Sequence, residues 1–169
     1  MEQAPETNAP WLRPPRHLVS PLAVWYWTAR AAIGWVVLLV GEVIWMVAAP
    51  GSGGWHWTLL AITVVLAATH LIVMPRWRYR VHRWEVTPVA VYTQAGWFHQ
   101  ERRIAPLSRL QTVDSERGPI EQLFGLVKVT ANTASAAGPL QITGLDRATA
   151  QGLVEELTAI AQQTPGDAT

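Results

Sequence analysis

The sequence has 169 residues, half of them apolar and only 15% charged, with a formal net charge of +1 and no cysteine. Soluble domains carry about 25% charged residues, so this composition excludes a disordered chain and a nucleic-acid-binding tail; the absence of cysteine excludes a disulfide framework, a thiolate zinc site and a cysteine nucleophile. The charge is unevenly placed: residues 1–83 hold seven Arg against Glu2, Glu6 and Glu42 (+4), and residues 84–169 hold six basic against nine acidic side chains (−3), so the two halves are expected in different surroundings.

Residues 1–30 are expected to form a flexible cytoplasmic segment and interfacial lead-in, with Pro5, Pro10, Pro14, Pro15 and Pro21 opposing regular structure over the first 21. From 31 to 75 the single formal charge is Glu42. This predicts a transmembrane helical hairpin with spans 31–49 and 55–74, each about 30 Å long at roughly 1.5 Å per residue. Pro50, Gly51, Ser52, Gly53 and Gly54 break the helix between them. A signal peptide cleaved after Val47-Ala48-Ala49 is the competing reading; the apolar run starts too late and is too long for it. Arg13, Arg16 and Arg30 precede the first span and Arg76, Arg78, Arg80 and Arg83 follow the second, while the connecting loop has no Lys or Arg. The positive-inside rule then puts both termini in the cytoplasm and the chain in the cell membrane as a multi-pass protein. Of the ten Trp, Trp25, Trp27, Trp55, Trp57 and Trp77 fall at the expected headgroup levels and read as interface anchors.

Small residues recur every seven positions, at Gly34, Gly41 and Ala48 and at Gly54, Ala61 and Ala68. Such stripes allow close helix approach in lipid, and are expected to face each other across the hairpin. Glu42 costs about 2.5 to 3.5 kcal/mol near a helix centre. With the stripes as the interface, Thr63 at the same level points elsewhere, leaving two readings: an intramembrane contact with another subunit or partner helix, or a carboxyl that snorkels or is neutralised.

After Arg83 the pattern changes to short β-rich runs. Strands are expected at Trp84-Glu85-Val86, Val89 to Tyr92, Trp97-Phe98, Ile104, Leu110 to Val113, Val127 to Thr130 and Leu140 to Ile142. Gly118-Pro119 opens a brief turn or helix that Gly125 can end, and Leu123 and Phe124 within it are expected to close the barrel with buried side chains. Residues 132–138 read as a loop. Asp146 caps a final helix whose Ala150, Leu153, Val154, Leu157, Ile160 and Ala161 form one apolar stripe, and 164–169 reads as a disordered tail. Together these elements describe an α+β membrane protein: a two-helix hairpin, then an antiparallel β-barrel or sandwich capped by a C-terminal helix at residues 76–163.

The runs Arg102-Arg103-Ile104-Ala105-Pro106-Leu107-Ser108-Arg109-Leu110-Gln111-Thr112-Val113, Arg117-Gly118-Pro119-Ile120-Glu121-Gln122-Leu123-Phe124-Gly125-Leu126 and Ile142-Thr143-Gly144-Leu145-Asp146 resemble the bacterial pleckstrin-homology-like (PH-like) domain of YdbS-type membrane proteins. With the flanking helices, the resemblance extends over roughly residues 20–163. It implies a seven-stranded PH barrel on a two-helix anchor, with Pro106, Arg109, Gly118, Leu123, Phe124 and Gly125 as structural residues of the motif.

Nothing in the sequence marks chemistry. His17, His56, His70, His82 and His99 lack metal-ligand spacing, no phosphate-cradling glycine loop or nucleophile elbow occurs, and no catalytic residue, metal or cofactor is expected. His70, inside the second span, is expected to be a neutral, interface-seeking or helix-bonding residue rather than a proton relay. A phosphoinositide pocket needs clustered cations, and Arg102, Arg103, Arg109, Arg117, Lys128 and Arg147 are scattered among acids. Arg76, Arg78, Arg80 and Arg83 are the better candidates for anionic lipid, since alternate positions of an extended segment would point similarly. The partners expected are membrane lipids and a membrane protein or further copies of the chain, with no nucleic acid. The function expected is a non-catalytic interaction module beneath the membrane, in envelope function or stress tolerance; the alternatives are an accessory subunit of a transporter or membrane enzyme, or an anionic-lipid-binding module.

Overall fold

The computed structural model describes residues 13–49, 54–134 and 138–163. Most of the proline-rich start, the 50–53 turn, part of the 132–138 loop and the 164–169 tail lie outside them.

Two helices, α1 (Leu22–Ala48) and α2 (Trp55–Val81), have 27 residues each. At 1.5 Å per residue each is about 40 Å long, some 10 Å more than a hydrocarbon core. Both exceed the expected spans at the same end. Pro75 does not stop α2, which continues to Val81, because the ring is fully buried in a packed environment that holds the helix on either side of it.

The hairpin seam runs along half-buried Trp35, Leu39, Glu42 and Met46 of α1 and His56, Leu60, Thr63, Ala67, His70 and Met74 of α2. Steps of four and three residues give the 3.5 spacing of left-handed helix pairs. The small-residue stripes do not face each other. Gly34 and Gly41 are exposed, a Cβ added to either meets nothing within 4 Å, and Ala61 and Ala68 are exposed too. Large seam side chains set the interhelical distance here, so the glycines are left on the outer surface.

The extramembrane part is a two-sheet sandwich. A short strand β1 (His17–Leu18) pairs with β2 (Arg83–Val86), which continues through β3 (Ala90–Gly96) to β4 (Gln100–Pro106). The second sheet is β5 (Leu110–Glu116), β6 (Leu126–Thr133) and β7 (Leu140–Asp146), and every neighbouring pair is antiparallel. The seven strands form an open sandwich, not a closed barrel. A 3-10 turn (Leu107–Arg109) joins the sheets, α3 (Pro119–Leu123) bridges β5 to β6, and α4 (Arg147–Gln163) covers the second sheet with buried Ala150, Leu153 and Leu157. The Asp146 carboxylate accepts the Thr149 N–H at 2.9 Å, as an N-cap does.

Three details depart from the sequence reading. Trp97 and Phe98 form no strand; they are the β3–β4 turn, made possible by Gly96 at φ +109°, where a Cβ would collide with the His99 carbonyl. Leu123 is 80% exposed, so it does not close the sandwich, whereas Phe124 is half-buried against the core. The stretch from Pro15 to Arg30, read as lead-in, is structured. Val19, Ala23, Tyr26 and Trp27 are buried in the same core as Val91, Leu126 and Leu145. The sheet edge therefore includes β1 from before the hairpin and β2 from after it, in the register His17 with Trp84 and Leu18 with Arg83.

Candidate functional site

The functional region is the junction where the hairpin enters the sandwich. Ala23, Tyr26 and Trp27 share one face of the first turns of α1, three and four residues apart, and that face is turned into the sandwich. Backbone contact seals it. The Ser20 N–H donates to the Gly144 carbonyl at 2.8 Å, and Gly144, at φ +83°, lies so close to α1 that an added Cβ would stand 3.0 Å from that of Ala23. Trp27, expected at the headgroups, is 2% exposed and belongs to this core, while Trp25 is 64% exposed.

Around Trp27, the Arg78 guanidinium lies over the indole at 4.7 Å from its centroid and the His82 ring at 4.8 Å. The His82 Nδ1 is 2.8 Å from the Arg78 carbonyl, which can only accept, so this nitrogen carries the proton. Burial drives the His82 pKa down from 6.5 to about 4; the bond to the Arg78 carbonyl opposes the shift, and the Arg78 charge adds to it. The ring is neutral at physiological pH.

Beside His82 opens a polar cleft of about 470 Å³, between the ends of β3, β4 and β7, lined by Arg78, His82, Thr93, Glu101, Arg103 and Gln141 among others. It is no phosphate cradle. Arg103 pairs with Glu101 at 2.6 Å and donates to the Pro139 carbonyl at 3.0 Å, while Arg78 is committed to Trp27, so the protein itself already engages both cations. Among the described residues no three His, Asp or Glu side chains cluster as metal ligands would.

The four arginines at the membrane exit do not act as one stripe. The segment is helical to Val81, so Arg78 stands about 200° from Arg76 around the axis and turns inward. Arg76 and Arg80 are exposed; Arg76 donates to the Ile72 carbonyl at 2.8 Å. Arg83, at the start of β2, reaches the Arg80 carbonyl at 3.3 Å and the Pro15 carbonyl at 3.5 Å. Glu42 lies apart from all of them, in the seam. Both its carboxyl oxygens are enclosed without a hydrogen-bond partner among the described residues. It is one of the half-buried positions of that seam. In the same seam the Trp35 Nε1–H donates to His70 Nδ1 at 2.9 Å, so His70 does bond a helix.

Of the motif residues, Pro106 and Arg109 are exposed on either side of the buried Leu107, and the Arg109 carbonyl accepts the Ala134 N–H at 3.0 Å. The Gly118 N–H donates to the Glu121 carboxylate, which caps α3, and Gly125 takes φ +67° after it. These residues shape loops and line no common site.

Two links were missed from sequence. Glu121 also accepts the Tyr26 hydroxyl at 3.1 Å, and Arg30 donates to Tyr26 at 3.2 Å, so the cap of α3 reaches α1. A glutamate three residues after Gly118 is a capping-box signal that could have flagged the first half of this link. Glu85, buried on β2, pairs with Arg13 at 2.7 Å and Arg16 at 3.4 Å. The Arg13 hydrogen bond holds its carboxyl below the usual range, outweighing burial. No local pattern signals this pair, because its members lie on opposite sides of the hairpin in sequence.

Comparison with known proteins agrees with this architecture. A family profile described as a bacterial PH domain matches residues 18–160. The UPF0699 transmembrane protein YdbS of Bacillus subtilis (strain 168) is 27% identical over 159 residues, covering 90% of this chain and 97% of that protein. No solved structure matches.

Proposed function

The chain belongs to the bacterial PH domain family, and on that premise we propose that it is a non-catalytic, membrane-anchored interaction module, whose sandwich binds a protein partner or its own copies at the cytoplasmic face. The observation that carries this reading is the junction. A flexible tether would suffice for an enzyme domain that only needs to stay near the membrane, whereas here Val19, Ala23, Tyr26 and Trp27 fuse the hairpin to the core of the sandwich. A rigid joint fixes the height and orientation of the sandwich relative to the bilayer, which suits presentation of a surface to a membrane-bound partner. The pairing of β1 with β2 supports a two-span topology, since the two ends of the hairpin meet in one sheet. The arginine flanks support a cytoplasmic sheet, and the exposure of Arg76 and Arg80 supports a contact with anionic lipid.

Native mass measurement of the full chain, extracted from its own membranes in mild detergent, tests the proposal. A discrete homo-oligomer or a stoichiometric complex with one protein is the expected result, and a stoichiometric transporter or membrane enzyme in that complex would favour the accessory-subunit role. A lone 18.7 kDa chain under every mild condition would contradict the interaction role.

A further inference from the structure

The β3–β4 turn lies where a soluble loop has no reason to be. Register pairing of Gly96 with Gln100 leaves Trp97, Phe98 and His99 as a three-residue tip. Phe98 is 90% exposed and Trp97 42% exposed, and the two rings lie 6.2 Å apart. The tip is fastened to the hairpin. The Trp77 Nε1–H donates to the Trp97 carbonyl at 3.0 Å, and the Trp97 ring lies 5.9 Å from the ring of His70. His70 precedes Arg76 by six residues, which is about 9 Å further along α2 toward the bilayer centre. Its exposed neighbours on the helix, Ile72 and Val73, are lipid-facing in character.

We propose that the Trp97–Phe98 tip is a third membrane contact of this protein, inserted at the boundary of headgroups and acyl chains in the leaflet next to the sandwich. The proposal rests on the reading that α1 and α2 span the bilayer. The Trp97 ring beside His70 shares its depth, about 9 Å below the arginine level and within the roughly 5 to 10 Å that interfacial elements occupy, and the Phe98 ring lies 6.2 Å from it. An indole with one wet edge suits this level, and a phenyl ring with no protein neighbour over most of its surface gains most by leaving water. The polar side follows at once in the chain, with exposed His99 and Gln100 and the paired Glu101 and Arg103. The tip thus fixes the tilt of the sandwich at a point separate from the helices.

The absence of native cysteine makes the test direct. Single variants Phe98→Cys, Ile44→Cys and Glu155→Cys of the full chain are labelled with a bimane fluorophore and reconstituted in phosphatidylcholine vesicles. Each is quenched separately with aqueous iodide and with lipid carrying a nitroxide on the upper acyl chain. Ile44 is 63% exposed on α1, and Glu155 is exposed on α4, far from the tip in sequence. At position 98, quenching by the lipid nitroxide is expected to be several-fold stronger, and quenching by iodide several-fold weaker, than at position 155, at every protein-to-lipid ratio. If 98 behaves like 155 while 44 is lipid-quenched, the hairpin spans and the tip lies in water, which overturns the proposal alone. Shielding at 98 that grows with protein density means a second copy covers Phe98, and also overturns it. Iodide access at 44 overturns the spanning reading and the proposal together.

Discussion

Replacing Trp27 with alanine is expected to cost about 3 to 5 kcal/mol, the range for deleting a fully buried large aromatic. The indole is 2% exposed and is covered by the Arg78 guanidinium and the His82 ring. Its removal leaves a cavity and also strips the face on which the half-buried Arg78 guanidinium rests. Since a domain has only about 5 to 15 kcal/mol of stability in all, the sandwich should unfold at markedly lower denaturant or temperature. Trp25→Ala, two residues earlier and exposed, is the control and should stay within about 0.5 kcal/mol of the parent. Unfolding of the detergent-solubilised proteins, followed by circular dichroism, checks both. Equal stability of Trp27→Ala and parent would mean that the N-terminal turns of α1 do not belong to the core.

Acidification should weaken the same junction. His82 is neutral and buried, with a pKa of about 4 against 6.5 in the unfolded chain, so protonation favours unfolding. Its contribution is fully present above about pH 6.5, falls as the pH drops through the window from 6.5 to 4, and is spent below that. The arithmetic is about 1.4 kcal/mol per unit, giving roughly 2 kcal/mol lost by pH 5 and at most about 3. The charged groups facing the ring are Arg78, in the last turn of α2, and Glu101 and Arg103 across the cleft. Asp146, held low by its hydrogen bond from the Thr149 N–H, and Glu85, held low by Arg13, add their losses chiefly nearer pH 4. Denaturant unfolding at pH 7.5 and pH 5 should show the slope in the parent and its loss in His82→Gln, whose amide can still donate to the Arg78 carbonyl. A parent with equal stability at both values would contradict a neutral, buried His82.

The hairpin and most strands were legible because each has a strong local signature: a long stretch with one charge, or β-rich runs bounded by Gly and Pro. The C-terminal helix was legible from its i, i+3, i+4 stripe and the Asp146 cap. Strand β1 was not, since two residues have no period and its pairing with β2 spans the whole hairpin in sequence. Trp27 misled for a related reason. A tryptophan at the end of an apolar helix looks the same whether lipid or a sandwich core covers it, and only the second sheet decides. Small residues at a seven-residue spacing suggest the seam, whereas half-buried Trp35, Leu39 and Met46 lie along it and Gly34 and Gly41 face outward. The Trp97–Phe98 tip carried a strand-like composition, yet Gly96 makes it a turn.

Both ends of the membrane hairpin are knitted into one sheet of one sandwich. A double variant, His17→Cys with Trp84→Cys, tests it in isolated membranes, because the chain has no other cysteine. The two residues are register partners on β1 and β2 with rings 5.2 Å apart, and directly opposed antiparallel positions have the Cα separation that a disulfide accepts, about 4.5 to 5.5 Å. Mild oxidation should join them within a single chain, in high yield and reversibly on reduction, and before oxidation both thiols should react with an impermeant reagent from the same face. Thiols that stay free, that link only between chains, or that are reached from opposite faces would contradict the pairing of β1 with β2.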